Sequence, residues 1–185
     1  MIDAPRANAI SRGADVLVAV IDTGVDEAHP ELGQAIAGRF NAFPAEPFTP
    51  DTHATAIASI IAAKGEMTGI APDARILSVQ AFTATGTGQP SGGRGTSYRL
   101  ALSLNWVMMK GARVVNMSFA GPPLDTQLGK FIAKGTAAGI VFVAAAGNGG
   151  PQAPPAFPAA HPDVIAVTAI GEDKELYEHA NIGDY

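Results

Sequence analysis

The stretch DVLVAVIDTGVDEAHPEL, residues 15–32, sets an unbroken apolar run (16–21) directly against Asp22-Thr23-Gly24. A run that short and that apolar, closed by a turn signal, reads as a strand covered on both faces. Four further runs have the same character: 74–82 (ARILSVQAF), 113–119 (RVVNMSF), 139–146 (GIVFVAAA) and 163–170 (DVIAVTAI). Helical stretches alternate with them. Residues 52–64 (THATAIASIIAAK) are apolar around the whole circumference, which predicts a buried helix. Residues 97–111 carry Leu100, Leu104, Val107 and Met108 on one stripe, and 124–139 do the same with Leu128, Phe131 and Ile132. Strand and helix in alternation predict a three-layer α/β/α domain around a mostly parallel sheet with right-handed crossovers. Such sheets bind ligands at the carboxyl ends of their strands. Asp22, Ser118 and Asn148 stand just there, at or after the ends of the first, third and fourth runs.

The bulk composition narrows the field. The 185 residues make one domain (1–185) the simplest division, and no linker or internal repeat interrupts them. A net charge of −5 provides no basic face, which argues against nucleic acid and anionic membrane as partners. With no cysteine, disulfides, thiolate chemistry and cysteine-based zinc sites are excluded. The first fifteen residues lack the apolar segment of a signal peptide, and no run approaches a membrane span. Loops 83–95 and 147–158, rich in glycine, proline and small polar residues, are the expected carriers of function.

Each candidate for chemistry has a plainer reading beside it. Asp22 at a strand end is placed to orient a histidine, or is simply a turn-forming aspartate. His53 at the first turn of a helix is a cap or surface residue, or a base held neutral by the helix N-terminus. Asn148 offers an amide to a developing oxyanion, or merely makes an Asn-Gly turn. Asp26, Glu27, His29 and Glu31 suggest a metal cluster, but nothing in their spacing gathers them, and no metal or other cofactor is expected. The glycine-rich 85–97 stretch lacks the Gly-Lys-Ser/Thr of a phosphate loop.

Taken in order, these segments resemble the subtilisin-like serine peptidases over nearly the whole chain. AVIDTGVDEAHPEL is similar to the family's aspartate motif and HATAIASIIAA to its histidine motif. GIAPDARILSVQAF, VVNMSFAGP, VFVAAAGN and FPAAHPDVIAVTAI look like successive landmarks at fitting spacings. The resemblance implies a serine endopeptidase in which Asp22 is the triad aspartate, His53 the general base and Asn148 the oxyanion donor. It implies one pocket wall at Ser118, Phe119 and Ala120 and another at Ala145, Ala146 and Gly147. Gly93, Arg94 and Gly95 would form the edge strand that pairs with an extended peptide substrate. The resemblance also implies a cis proline bond at Phe157-Pro158. Secretion or a periplasmic location also follows from the resemblance alone.

The departures are specific. The family's His-Gly-Thr-His is His53-Ala54-Thr55-Ala56 here, and Ser59 replaces a glycine, which questions the helix packing. The segment AAKGEMTGIAP is shorter than in relatives whose loop binds calcium, so no such site is expected. Ser97, in Gly95-Thr96-Ser97, imitates the nucleophile motif but precedes Asn148 and lacks the motif's following small residues and proline. It is read as a helix start, and the nucleophile is expected beyond Tyr185, leaving the domain incomplete at its C-terminus and this chain inactive alone. Apolar surface should then stand exposed unless that missing segment or another chain covers it. The alternative reading is a noncatalytic peptide-binding or scaffold module without a nucleophile.

Overall fold

The computed structural model describes residues 3–83, 95–123 and 126–185. Six strands form one sheet in the order β2-β3-β1-β4-β5-β6, with every neighbouring pair parallel. They are β1 (Leu17–Asp22), β2 (Ile36–Asn41), β3 (Arg75–Gln80), β4 (Val114–Met117), β5 (Val141–Ala145) and β6 (Val164–Val167). Four helices accompany them: α1 (Ala4–Ile10), α2 (Thr52–Ala62), α3 (Ser97–Met109) and α4 (Thr126–Ala137). The expected α/β class and all five apolar runs are present; β2 and α1 are additional.

Alternation along β1 divides the core. Ala19 and Ile21 face one cluster with Leu104 and Val107 of α3 and Leu128 and Ile132 of α4. Val18 and Val20 face the other, with Ala54, Ala58 and Ala62 of α2. Those three alanines recur every fourth residue and are wholly buried, so their small size lets α2 lie close on the sheet. Ser59 is buried beside them and does not hold the helix off.

Two expectations are corrected. First, α2 is not buried all round: Ala56 is exposed and Ile60 is 59% exposed on its outer side. Second, the crossovers do not share one hand. The connections β2-α2-β3, β3-α3-β4 and β4-α4-β5 all step the same way along the sheet, yet α2 lies on the face opposite α3 and α4. Same step and opposite face mean opposite hand. With α3 and α4 obeying the right-handed preference, the α2 crossover is the exception.

The face that α2 shares is only half covered. Over β5 and β6 it presents Val141, Ile165 and Val167, each between 44% and 56% exposed. Among the described residues, no helix is long and apolar enough to cross a membrane.

Candidate active site at the strand ends

The connection from β1 runs towards β2, on one side, and that from β4 towards β5, on the other. The crevice between β1 and β4 is therefore a switch point of the sheet, where side chains at strand ends can surround a ligand. Asp22 closes β1 there, 4% exposed.

A single oxygen of Asp22 is held from three directions. Oδ1 accepts the Thr23 amide at 2.7 Å and lies 3.1 Å from the Thr23 hydroxyl and 2.8 Å from Nδ1 of His53. The Thr23 hydroxyl is also 3.1 Å from Oδ1 of Asp51, so its one proton serves either carboxylate. Asp51 caps α2, taking the His53 amide at 2.8 Å, while its own amide donates to the Gly24 carbonyl at 2.7 Å. The Thr55 hydroxyl donates to the Asp51 carbonyl and accepts the Asp26 amide. The start of α2 is thus fastened to the turn that follows Asp22. Gly24 permits the approach: a Cβ there would run into the Thr49 carbonyl.

His53 sits partly exposed over its buried partner. With Nδ1–H donating to Asp22, Nε2 is left as the acceptor, the arrangement a general base requires. Its pKa is raised above the ordinary 6.5, first by the Asp22 hydrogen bond, against the lowering effect of burial, with further help from the charges of Asp22 and Asp51. This reverses the expectation that the helix N-terminus would hold the ring neutral by lowering its pKa. A carboxylate in contact outweighs the partial charge of a helix end.

The sign of the linkage follows. The pair favours the imidazolium, so its contribution to stability is complete below the unfolded-state pKa and fades as pH rises through the folded one. In an NMR titration, His53 should titrate above 6.5. Asp51→Asn should lower that value less than Asp22→Asn, because Asp51 acts on the ring only through space. Equal shifts from the two substitutions would contradict the assignment.

Asn148 follows β5 at the same edge of the sheet and is exposed. It lines a cleft of about 990 Å³ together with Ala120, Gly147, Phe157 and Tyr185. Gly121 and Phe157 exchange backbone hydrogen bonds at 2.9 and 3.0 Å across it, and the Phe157-Pro158 bond is cis, as expected. Ser118 accepts a hydrogen bond from Asn116, and the Phe119 ring lies 4.8 Å from that of Phe82. Gly95 packs directly against Phe82, so the rim at 95 and the wall at 119 meet through one ring. Ala145 ends β5, and the Ala146 amide donates to the Val167 carbonyl. Gly93 and Arg94 lie outside the described residues. A second cleft, of about 750 Å³, runs beside α2 past Asp51 and Thr55.

The acidic residues after β1 are engaged separately. Asp26 accepts the Ala28 amide, His29 accepts the Glu31 amide, and Glu27 pairs with Arg39 at 3.7 Å. Glu31 accepts the amides of Gly65, Glu66 and Met67, holding the short loop after α2. Ser97 is the first residue of α3, and Thr96 is its cap. Residues passed over in the sequence include Thr23, Asp51 and Asn181. An aspartate immediately before a helical run is a cap signal, so Asp51 could have been found; nothing local marks Asn181.

A parallel α/β sheet with a buried aspartate paired to a partly exposed histidine at its switch point, and an asparagine-lined cleft at the same edge, defines the class. The model of the Subtilase family matches residues 13–185, and the chain belongs to that family. It is 32% identical to subtilisin NAT of Bacillus subtilis subsp. natto over 178 residues, covering 92% of this chain and 45% of that protein. Fervidolysin of Fervidobacterium pennivorans is 35% identical over 168 residues, 85% of this chain and 24% of its own length. Among solved structures, the prenylagaramide maturation protease PagA aligns with a TM-score of 0.84 at 28% identity, covering all of this chain and 64% of that one. The chain thus spans about half the length of curated relatives such as subtilisin NAT.

Proposed function

We propose that these residues form the aspartate-, histidine- and asparagine-bearing part of a serine endopeptidase, whose nucleophile is supplied by a segment outside them. The observation that carries this reading is the 2.8 Å contact between Nδ1 of a partly exposed His53 and a buried Asp22 carboxylate. In the complete enzyme, Nε2 of His53 takes the serine proton as the oxygen attacks the peptide carbonyl. Asp22 holds the tautomer and stabilises the imidazolium, and the Asn148 amide donates to the tetrahedral oxyanion. His53 then returns the proton to the leaving amine.

A peptide substrate would lie extended along Gly93, Arg94 and Gly95. Its side chain would enter between Ser118, Phe119 and Ala120 on one side and Ala145, Ala146 and Gly147 on the other. The apolar face at Val141, Ile165 and Val167 fits a covering segment of the same protein, since a patch of that kind is costly to leave in water. The partners proposed are accordingly a peptide or protein substrate and that segment.

Treatment of the full-length natural protein with a fluorophosphonate probe should label one serine outside residues 1–185. Labelling of Ser97 would overturn the assignment of the nucleophile. An unlabelled protein that still binds unfolded peptide would instead be the noncatalytic module, a reading that the altered His53-Ala54-Thr55-Ala56 motif motivates.

A further inference from the structure

Asn148 stands in a loop with little intrinsic order. Its neighbours are Gly147, Gly149 and Gly150, and the first and last of these have φ of +105° and +93°. Glycines so placed have the most backbone freedom to lose, so something outside the loop must fix it.

Segment 179–181 does so. The Gly150 amide donates to the His179 carbonyl at 2.8 Å. The Asn181 amide donates to the Gly147 carbonyl at 3.1 Å, and the Asn181 side-chain Oδ1 accepts the Gly149 amide at 2.7 Å. One residue therefore grips the residues immediately before and after Asn148. Asn181 is only 7% exposed and, with Ala180, forms a buried pair between the exposed residues 171–179 and 182–184. The fit is close: a Cβ on Gly147 would come within 2.8 Å of the side-chain Nδ2 of Asn181.

We propose that Asn181 is a positioning residue that brackets the Asn148 loop and so holds the Asn148 amide where it can donate. The role rests on the reading of Asn148 given above; the bracket itself does not. An acceptor at the side-chain position is what the bracket needs. Aspartate supplies one, whereas alanine supplies none and the serine hydroxyl is too short to reach the Gly149 amide.

The test uses the full-length natural protein with two independent readouts. By hydrogen exchange, the Gly149 amide should be protected in the wild type, lose at least about tenfold protection in Asn181→Ala and keep it in Asn181→Asp. Should the alanine variant fail to fold, Asn181→Ser serves in its place. An unprotected wild-type Gly149, or unchanged exchange in the variant, overturns the bracket whether or not the protein is a peptidase. With a peptide substrate, Asn181→Ala should lower kcat about 10- to 100-fold with KM held within about twofold, as expected for a donor displaced by roughly an ångström. Asn181→Asp should restore most of it, and adding Asn181→Ala to Asn148→Ala should cost nothing more. Additive losses, or a lower melting temperature with kcat intact, would reduce Asn181 to a structural residue. A wild-type protein inert towards peptides would sink the peptidase reading while the exchange data still decided the bracket.

Discussion

Replacing His53 with alanine in the full-length natural protein is expected to lower kcat for peptide hydrolysis by about 10⁶-fold, the size established on subtilisin itself and carried over here. The geometry explains why so much depends on one ring. His53 is the group in contact with the buried Asp22 carboxylate, and its free Nε2 is the proton acceptor that the proposed attack needs. The change should leave the fold intact, because the Asp51 cap bonds to the backbone amide of residue 53 and not to its side chain. Partial exposure of the ring also means that no core contact is lost. The measurement is kcat on a chromogenic peptide, with melting temperature as the control. A loss smaller than about 100-fold, in a variant of unchanged stability, would mean that another base operates.

The strands that could be read from the sequence are those that are apolar at nearly every position, whether two layers cover them, as in β1, or one face stays open, as in β5 and β6. In β1, Val18 and Val20 meet α2 while Ala19 and Ile21 meet α3 and α4, so the run is apolar at every position. The overlooked strand β2 is different in kind. It reads IAGRFN, lies at the sheet edge, is nowhere fully buried and carries a register shift between Ile36 and Gly38. An edge strand needs no continuous apolar run, and β2, unlike the other edge strand β6, has none, so periodicity does not mark it. Helix α1 buries none of its residues, and only an Asp3 cap and an early proline announce it. Conversely, the apolar circumference of α2 overstated its burial, because the face beyond Ile60 stands open.

Handedness was not legible at all. It depends on which face a helix takes, and the α2 sequence is apolar enough for either. In the site, the partnership of Asp22 and His53 came from the order of motifs, since they are 31 residues apart and nothing local joins them. What local reading did suggest about His53, a lowered pKa, lost to that non-local contact. Thr23, Asp51 and Asn181 act through hydrogen bonds spanning 28 or more residues, or through caps that any aspartate can make. Polar networks of this kind leave no periodic trace.

The second large effect expected is that of Asp22→Ala, a loss of about 10⁴- to 10⁵-fold in kcat, again scaled from subtilisin. Among the described residues, three side-chain contacts of Asp22 converge on Oδ1, so alanine strips the acceptor from His53 and from the Thr23 amide together. The orphaned Thr23 amide should cost about 1–3 kcal/mol of stability. Asparagine separates the two consequences. With its amide oxygen in the Oδ1 position, it can keep all three bonds and lose only the charge. Asp22→Asn should therefore melt close to the wild type while His53 titrates lower than in the wild type, because the imidazolium no longer faces an anion. If the asparagine variant melted as low as the alanine one, the bonds at Oδ1 would not be what secures the turn. If its His53 titration were unchanged, the charge of Asp22 would not be what raises the pKa of the ring. Because subtilisin still hydrolyses peptides about 10³- to 10⁴-fold faster than water without its triad, both variants should retain measurable activity. Comparing that residue of activity with the Asn148→Ala variant would then isolate the share that belongs to the oxyanion donor.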